Sequence, residues 1–397
     1  MDYGGILHNN KSISPKIEDQ KHLNYTDTIN LGAYYTNFDF VKIVYNFLNT
    51  NIKNIKDYTI IDTSCGYGSF LEYNNIDVKY IGADIDIKAI EIAKKKHHKN
   101  TNFFNINALL NVERKNYGLN IDDRIIIVGN PPYNDTTSMV RNSVKILPME
   151  VDSDLKTRDL GVSFLLSYNK IQADYICVLH PLSYLIKKSN FNLLKNFTKH
   201  YRLKDSVIIS SNSFNQTSKF TSFPIIIAFY EKNSQGMDYN FVTGYQFKTL
   251  ENKNFIIKNF ENIINYIHKY PNQKLINSKK AVAFFWTMRD INALKRNKTF
   301  MEKITDNTVF ITKDNLDYYC YVDIFKEYTK YIPYYFGNCD IFIDNNEFLK
   351  IKHLFRFLSL KKYPYLTYLL EEEYDEVKSR QIVDNYFKKL LGEHFVY

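Results

Sequence analysis

Between residues 31 and 232 the chain alternates two hydrophobic patterns. Short apolar runs rich in β-branched residues have the length and composition of strands buried on both faces. Segments apolar at every third or fourth position separate them, which is the period of an amphipathic helix. Phe40, Val41, Ile43, Val44, Phe47 and Leu48 form the first such helix, with Thr36 or Asn37 as its cap. Strands are predicted at Tyr58–Ile61, Lys79–Gly82, Asn102–Ile106, Ile125–Val128, Tyr175–Leu179, Ser206–Ser210 and Ile225–Tyr230. Helices are predicted over Ala89–Lys96, Val162–Ile171 and Leu182–Lys199. Such alternation implies an α/β fold on a parallel sheet. Residues 1–30 are polar and aperiodic and read as an N-terminal arm. The polar stretch Glu231–Gly236 ends the alternation, so 31–232 is read as one domain and 237–397 as a second. The second is mixed and mainly helical, with helices expected over Phe255–Tyr266, Asp290–Ile304 and Asp384–Leu391.

Composition changes this picture little. A length of 397 residues agrees with two domains. The net charge of +9 fits a polyanionic partner without demanding one. No apolar run approaches the roughly 18 residues of a membrane span, and Met1-Asp2-Tyr3-Gly4-Gly5 lacks the basic-then-apolar order of a signal peptide. The four cysteines are scattered without a CxxC pair, which argues against zinc and disulfides and suits a reducing cytoplasm. His97, His98, His180, His268 and His353 have no ligand spacing, so no metal is expected. Asp344, Glu347 and Lys350 do not have the spacing of a nuclease core.

Chemistry concentrates where strands end. After the first strand comes Asp62-Thr63-Ser64-Cys65-Gly66-Tyr67-Gly68-Ser69-Phe70, read as a glycine loop leading into a helix. Gly66 and Gly68 let the backbone approach a ligand, and a helix N-terminus favours a negative group. The loop has neither a Walker lysine nor a full GxGxxG. Asp84 ends the second strand where an acid can chelate ribose hydroxyls, and Asp86 is read as the cap of the next helix. Asn107, after the third strand, either contacts an adenine or satisfies a turn. The fourth strand stops at Gly129-Asn130-Pro131-Pro132-Tyr133, because proline donates nothing to a ladder. This stiff loop presents two neutral acceptors, the Asn130 amide oxygen and the Pro131 carbonyl, beside the Tyr133 ring. Two acceptors can bind the hydrogens of an exocyclic amine, turn its lone pair outward and stabilise positive charge developing on nitrogen. The ring can stack on a base that has left its duplex.

These motifs, from residue 31 to about 232, resemble S-adenosylmethionine-dependent DNA adenine N6-methyltransferases of type II restriction–modification systems. The resemblance implies a Rossmann-like methyltransferase sheet and a C-terminal target-recognition domain. It implies that Gly32 with Tyr34, Tyr35 and Thr36 packs on the methionine end of the cofactor. It gives Asp62, Cys65, Gly66 and Gly68 to the cofactor loop, Asp84 to the ribose and Asn107 to the cofactor adenine. Asn130, Pro131, Pro132 and Tyr133 match the catalytic motif in full. Cofactor motifs precede the catalytic one and target recognition follows, which looks like the gamma order. Phe214 falls where the family places a second aromatic against the flipped base, with Phe220 and Phe223 as rivals. The chain departs from the family at Thr63, where proline is usual, and at Asn107, where aspartate is common. The implied partners are double-stranded DNA and a cognate restriction endonuclease acting separately. Lys279, Lys280, Arg289, Lys295 and Arg296 bracket Phe284-Phe285-Trp286 and are read either as DNA contacts or as solvated helix faces. RNA adenine and protein glutamine N5-methyltransferases share the catalytic loop and are the alternatives.

Overall fold

A computed structural model describes residues 36–73, 77–96, 100–133, 150–214, 222–273 and 280–397. The chain divides into two compact units, the first holding residues up to Phe220 and Pro224–Phe255, the second Thr221–Phe223 and Ile256–Tyr397. The division falls beyond the polar stretch at 231–236, because a short helix and hairpin still pack with the sheet domain.

In the first unit, α1 (Phe38–Asn51) is capped by Asn37, whose side chain accepts the Asp39 N–H. Then come β1 (Thr59–Asp62), β2 (Lys79–Asp84), α2 (Ile87–Lys96), β3 (Thr101–Asn105), β4 (Ile125–Gly129), α3 (Leu160–Lys170) and β5 (Tyr175–Pro181). Three short helices follow, α4 (Ser183–Ile186), α5 (Lys188–Leu193) and α6 (Lys195–Thr198), before β6 (Tyr201–Ser210) and β7 (Pro224–Lys232). The unit closes with α7 (Tyr239–Gly244) and the hairpin β8 (Phe247–Lys248) and β9 (Asn254–Phe255). The seven-stranded sheet has the order β3-β2-β1-β4-β5-β7-β6. Its first five strands run parallel, and β7 runs antiparallel to both β5 and β6. The order reverses beside β1 and β4, so this Rossmann-like sheet opens a crevice at their carboxyl ends. Isoleucines 125–127 of β4 are fully buried, as the unbroken apolar run demands.

Three expectations are corrected here. No helix follows the glycine loop among the described residues; Gly68 to Glu72 makes a single turn, so the loop has no helix dipole behind it. The helix expected over 182–199 is broken in three, because Ile186 and Phe191, both buried, are spaced off the helical period. Lys187 between them is extended and separates the first two short helices. β6 starts earlier than expected, at Tyr201, because a bulge between Leu203 and Asp205 disrupts the alternation that marks a strand.

The second unit contains β10 (Ala283–Trp286), α8 (Ile291–Arg296), β11 (Phe300–Met301), β12 (Thr308–Ile311), α9 (Leu316–Tyr328), α10 (Asn345–Leu360) and α11 (Glu376–Leu391). β10 is the centre of an antiparallel sheet between β11 and β12. Buried Asp323 ties the helices together, accepting from Thr299, Ser359 and Tyr363 hydroxyls and pairing with Lys362. The helix expected at Phe255–Tyr266 is absent. The segment forms two isolated 3-10 turns, Ile257–Asn259 and Ile263–Asn265, and backbone bonds from Ile263 to Ile341 and from Ile343 to Glu261 tie down the stretch at the second. The helix expected over Asp290–Ile304 stops at Arg296, and Phe300–Met301 joins the sheet instead. Helices α9 and α10 lie where the aromatic-rich text gave no clear stripe. Asp344 caps α10 and Glu347 pairs with Lys350, a helix-start arrangement.

Candidate active site

Three loops at the carboxyl edge of β1, β2 and β4 converge, and each is positioned by its neighbours. Cys65 N–H bonds the Ala83 carbonyl at 2.9 Å, stitching the glycine loop to β2. Gly66 N–H donates to one Asp84 oxygen at 2.8 Å, and Asp86 N–H donates to the other at 2.9 Å. Asp84 is thereby locked with lone pairs remaining on both oxygens. Asp86 accepts the Lys88 N–H at 2.9 Å and caps α2. Gly66 takes a left-handed φ of +50° and faces open space where a side chain would stand. From the far side, Tyr45 of α1 donates its hydroxyl to the Phe70 carbonyl at 2.7 Å.

Asp62 is 1% exposed, and its carboxylate accepts the Ser64 N–H at 3.1 Å. One of its oxygens lies 2.9 Å from the position a Gly129 Cβ would take, and Gly129 has φ +150°. The glycine before Asn130 is therefore required by Asp62, which fills the place of its side chain. This contact links the glycine loop to the catalytic-type loop.

Asn130 donates from Nδ2 to the Thr36 hydroxyl at 3.2 Å, while its Oδ1 is buried and has no hydrogen-bond partner among the described residues. Buried amide oxygens without partners are rare and costly. Thr36 is 4% exposed and orients the amide. It was expected to touch a cofactor; its observed partner is Asn130. We expect Thr36→Val to release the amide and lower turnover about tenfold, with cofactor affinity kept. Equal turnover in steady-state assays would contradict that role.

Burial pushes the Asp62 carboxyl from 3.8 up to about 8, nearby Asp84 adding to it against the Ser64 N–H. Burial also raises Asp84 and the Cys65 thiol. His180 is fully buried and pushed down from 6.5 to about 4. Folded Asp62 keeps a proton that the unfolded chain releases above 3.8, so it costs stability as pH rises toward about 8. His180 acts oppositely, costing stability as pH falls from 6.5 toward about 4. The His180 contribution fades above 6.5 and the raised acids then dominate. Urea unfolding between pH 6.5 and 8 should show stability falling with pH, by up to about 1.4 kcal/mol per pH unit and proton. Asp62→Asn should flatten that slope; an unchanged slope would refute the assignment.

The structure thus brings together Thr36, Asp62, Cys65, Gly66, Gly68, Asp84, Asn130, Pro131, Pro132 and Tyr133. Tyr34, Tyr35, Phe220 and Lys279 lie outside the described residues. Asn107 satisfies a turn, accepting the Leu109 N–H at 3.0 Å and donating to the Glu150 carbonyl at 2.7 Å. These bonds use one hydrogen and one lone pair of its amide, so Asn107 serves a turn while one N–H and one lone pair remain. Phe214 is 3% exposed and packs on Phe40, 5.5 Å between ring centroids. In the second unit Lys280, Arg289 and Arg296 are exposed, whereas Lys295 is half-buried and its ammonium is pushed down by burial. Among the described residues no group of three or more His, Cys, Asp or Glu could hold a metal ion. No described helix is long and apolar enough to cross a membrane.

No family model and no curated protein matches the sequence. Solved structures with similar folds include a protein from Listeria monocytogenes described as a class I S-adenosylmethionine-dependent methyltransferase. It is 14% identical at TM-score 0.37, over 53% of this chain and 64% of that one. The methyltransferase subunit of a type I restriction–modification system from Streptococcus thermophilus is 14% identical at TM-score 0.36. That match covers 58% of this chain and 52% of the subunit. The N-methyltransferase NodS from Bradyrhizobium japonicum, solved with S-adenosyl-L-homocysteine, is 10% identical at TM-score 0.31, over 49% and 87%. Likeness at this level assigns no activity to this chain.

Proposed function

We propose that the protein is a site-specific DNA adenine N6-methyltransferase that uses S-adenosylmethionine and serves as the modification enzyme of a restriction–modification system. The observation that carries this reading is the buried, partnerless Asn130 Oδ1 beside a prolyl carbonyl, at the switch point of a Rossmann-like sheet. An acceptor left empty at such a place fits an amine donor from a ligand.

The residues present suit the cofactor. Open space at Gly66, a locked Asp84 with free lone pairs and the partnerless Ser64 hydroxyl form a polar cradle. Asp84 would hold ribose hydroxyls, and the Asp62-to-Gly68 loop would hold the amino-acid end. Bound there, S-adenosylmethionine supplies an electrophilic sulfonium methyl group.

Asn130 and Pro131 prepare the amine without a charged base, and the proton that the methylated nitrogen sheds leaves to water. Their oxygens accept the two hydrogens of the adenine amine, so its lone pair leaves conjugation with the ring and points outward. The same oxygens stabilise the positive charge that develops on nitrogen. Pro132 keeps the loop stiff, and Tyr133 stacks on the flipped base. The exposed cations Lys280, Arg289 and Arg296 would contact phosphates.

The test is to incubate the purified protein and tritiated S-adenosylmethionine with unmethylated plasmid DNA, total RNA or a peptide-release factor. N6-methyladenine in hydrolysed DNA is the expected product. Label confined to RNA adenine, or to a protein glutamine, would sink the DNA reading and favour the corresponding relative.

A further inference from the structure

Tyr133 is shaped from behind by residues that belong to none of the motifs. Its Cβ lies 3.1 Å from the position a Cβ at Gly161 would occupy, and the Tyr184 hydroxyl lies 2.5 Å from the same point. Gly161 is the second residue of α3, so this helix start is pressed against the catalytic loop. Asp159 caps α3 by accepting the Gly161 N–H at 3.1 Å, and the same carboxylate oxygen accepts the Tyr184 hydroxyl. Tyr184 cannot swing away, because its ring lies flat on His180, 5.3 Å between centroids and 10° from parallel.

His180 is itself immobile. A carbonyl only accepts, so the 2.9 Å contact with the Pro181 carbonyl places the imidazole proton on Nδ1. Nε2 is then the acceptor for the Tyr230 hydroxyl at 2.7 Å. A neutral ring with both nitrogens satisfied, at the end of a central strand, gives Tyr184 a rigid backing. The notch at Gly161 is thus shared by a fixed hydroxyl and the root of Tyr133.

We propose that Tyr184 is a positioning residue for Tyr133: held by Asp159 and His180, it fills the Gly161 notch and fixes where the catalytic-loop ring stands. The proposal rests on the reading above, in which that ring stacks on the target base. In this role Tyr184 acts through Tyr133 rather than on the base or the cofactor. Gly161 matters because any side chain there would drive Tyr133 and Tyr184 apart.

The test uses the full chain with Tyr184→Phe, Gly161→Ala and the double variant, on unmethylated plasmid DNA. Tyr184→Phe keeps the stack on His180 and removes the hydroxyl that bonds Asp159. Its kcat should fall roughly 10-fold to 100-fold, the scale of a misplaced reacting group, with the cofactor dissociation constant within about twofold by calorimetry. Gly161→Ala should fall further. The double variant should lose less than the product of the single losses, because the closest clash is with the hydroxyl that Tyr184→Phe removes. A Tyr184→Phe kcat within about twofold of wild type, or additive single effects, overturns the proposal. So does a fall in cofactor affinity that tracks kcat, which marks general loosening. If wild type labels RNA or protein instead, the same ratios are read on that polymer and the DNA reading alone fails. Wild type that labels nothing sinks the reading of the site and this inference with it.

Discussion

Asn130→Ala should lower methyl transfer by at least about 10²–10³-fold, the effect of deleting one preorganised group that stabilises transition-state charge. Cofactor affinity measured by calorimetry should change little, because Asp84 and the glycine loop are positioned by Gly66, Asp86, Ala83 and Tyr45 rather than by Asn130. The physical reason lies in how the amide is divided. Its nitrogen is occupied by Thr36, so its oxygen has one orientation and no partner among the described residues. An acceptor kept dry and aimed costs nothing to reorganise when an amine arrives. Alanine removes it and leaves the Pro131 carbonyl to hold one hydrogen alone. The variant should also fold at least as well as wild type, since a buried unsatisfied oxygen has been deleted. A variant that retains transfer, or loses cofactor binding in step with it, would refute the division of labour between the loops.

Gly129→Ala should destabilise the fold by roughly 3 kcal/mol, a large share of the 5–15 kcal/mol typical of folded domains. Two costs add. An L-residue at φ +150° is strained, and the new methyl would sit 2.9 Å from an Asp62 oxygen. Asp62 has nowhere to go, because it is fully enclosed and holds the Ser64 N–H that starts the glycine loop. The methyl should therefore move both loops, and cofactor affinity should fall along with stability. Urea unfolding and calorimetry on Gly129→Ala measure the two losses. Combining it with Asp62→Ala removes the contact but not the backbone strain, so about 1–2 kcal/mol should be recovered as a coupling energy. A single variant within about 0.5 kcal/mol of wild type would show that the close approach does not constrain the loop.

Local rules account for the parts of the fold that were legible. β4 and β7 are runs of isoleucine and other apolar residues, and such runs are strands wherever a sheet buries both faces. Asp86 and Asn37 cap helices because their side chains reach N–H groups two or three residues on, a distance set by the chain itself. The misses have the opposite character. Phe255–Tyr266 has apolar spacing that suits a helix, yet distant backbone at Ile341 and Ile343 pairs with it and the segment makes only two short 3-10 turns. Helix α9 was obscured because it is buried nearly all round and so carries no polar stripe. The turn at Asn107 was likewise hidden, because the carbonyl its amide donates to belongs to Glu150, 43 residues away in sequence.

The same distinction divides the site. From sequence alone follow the strand ends, the proline-stiffened loop and the chemical capacity of its amide, carbonyl and ring, because each depends on residue type and on neighbours within a few positions. Tertiary structure decided which strand ends adjoin, since order β2-β1-β4 sets Asp84, Asp62 and Asn130 side by side. It decided that Asp62 is held neutral, because desolvation depends on what surrounds a carboxyl rather than on what precedes it. It decided that Gly129 yields its side-chain space to Asp62, and that Thr36, 94 residues earlier, turns the Asn130 oxygen into an empty acceptor. Distance, burial and partner choice are properties of packing, and no local pattern in the chain encodes them.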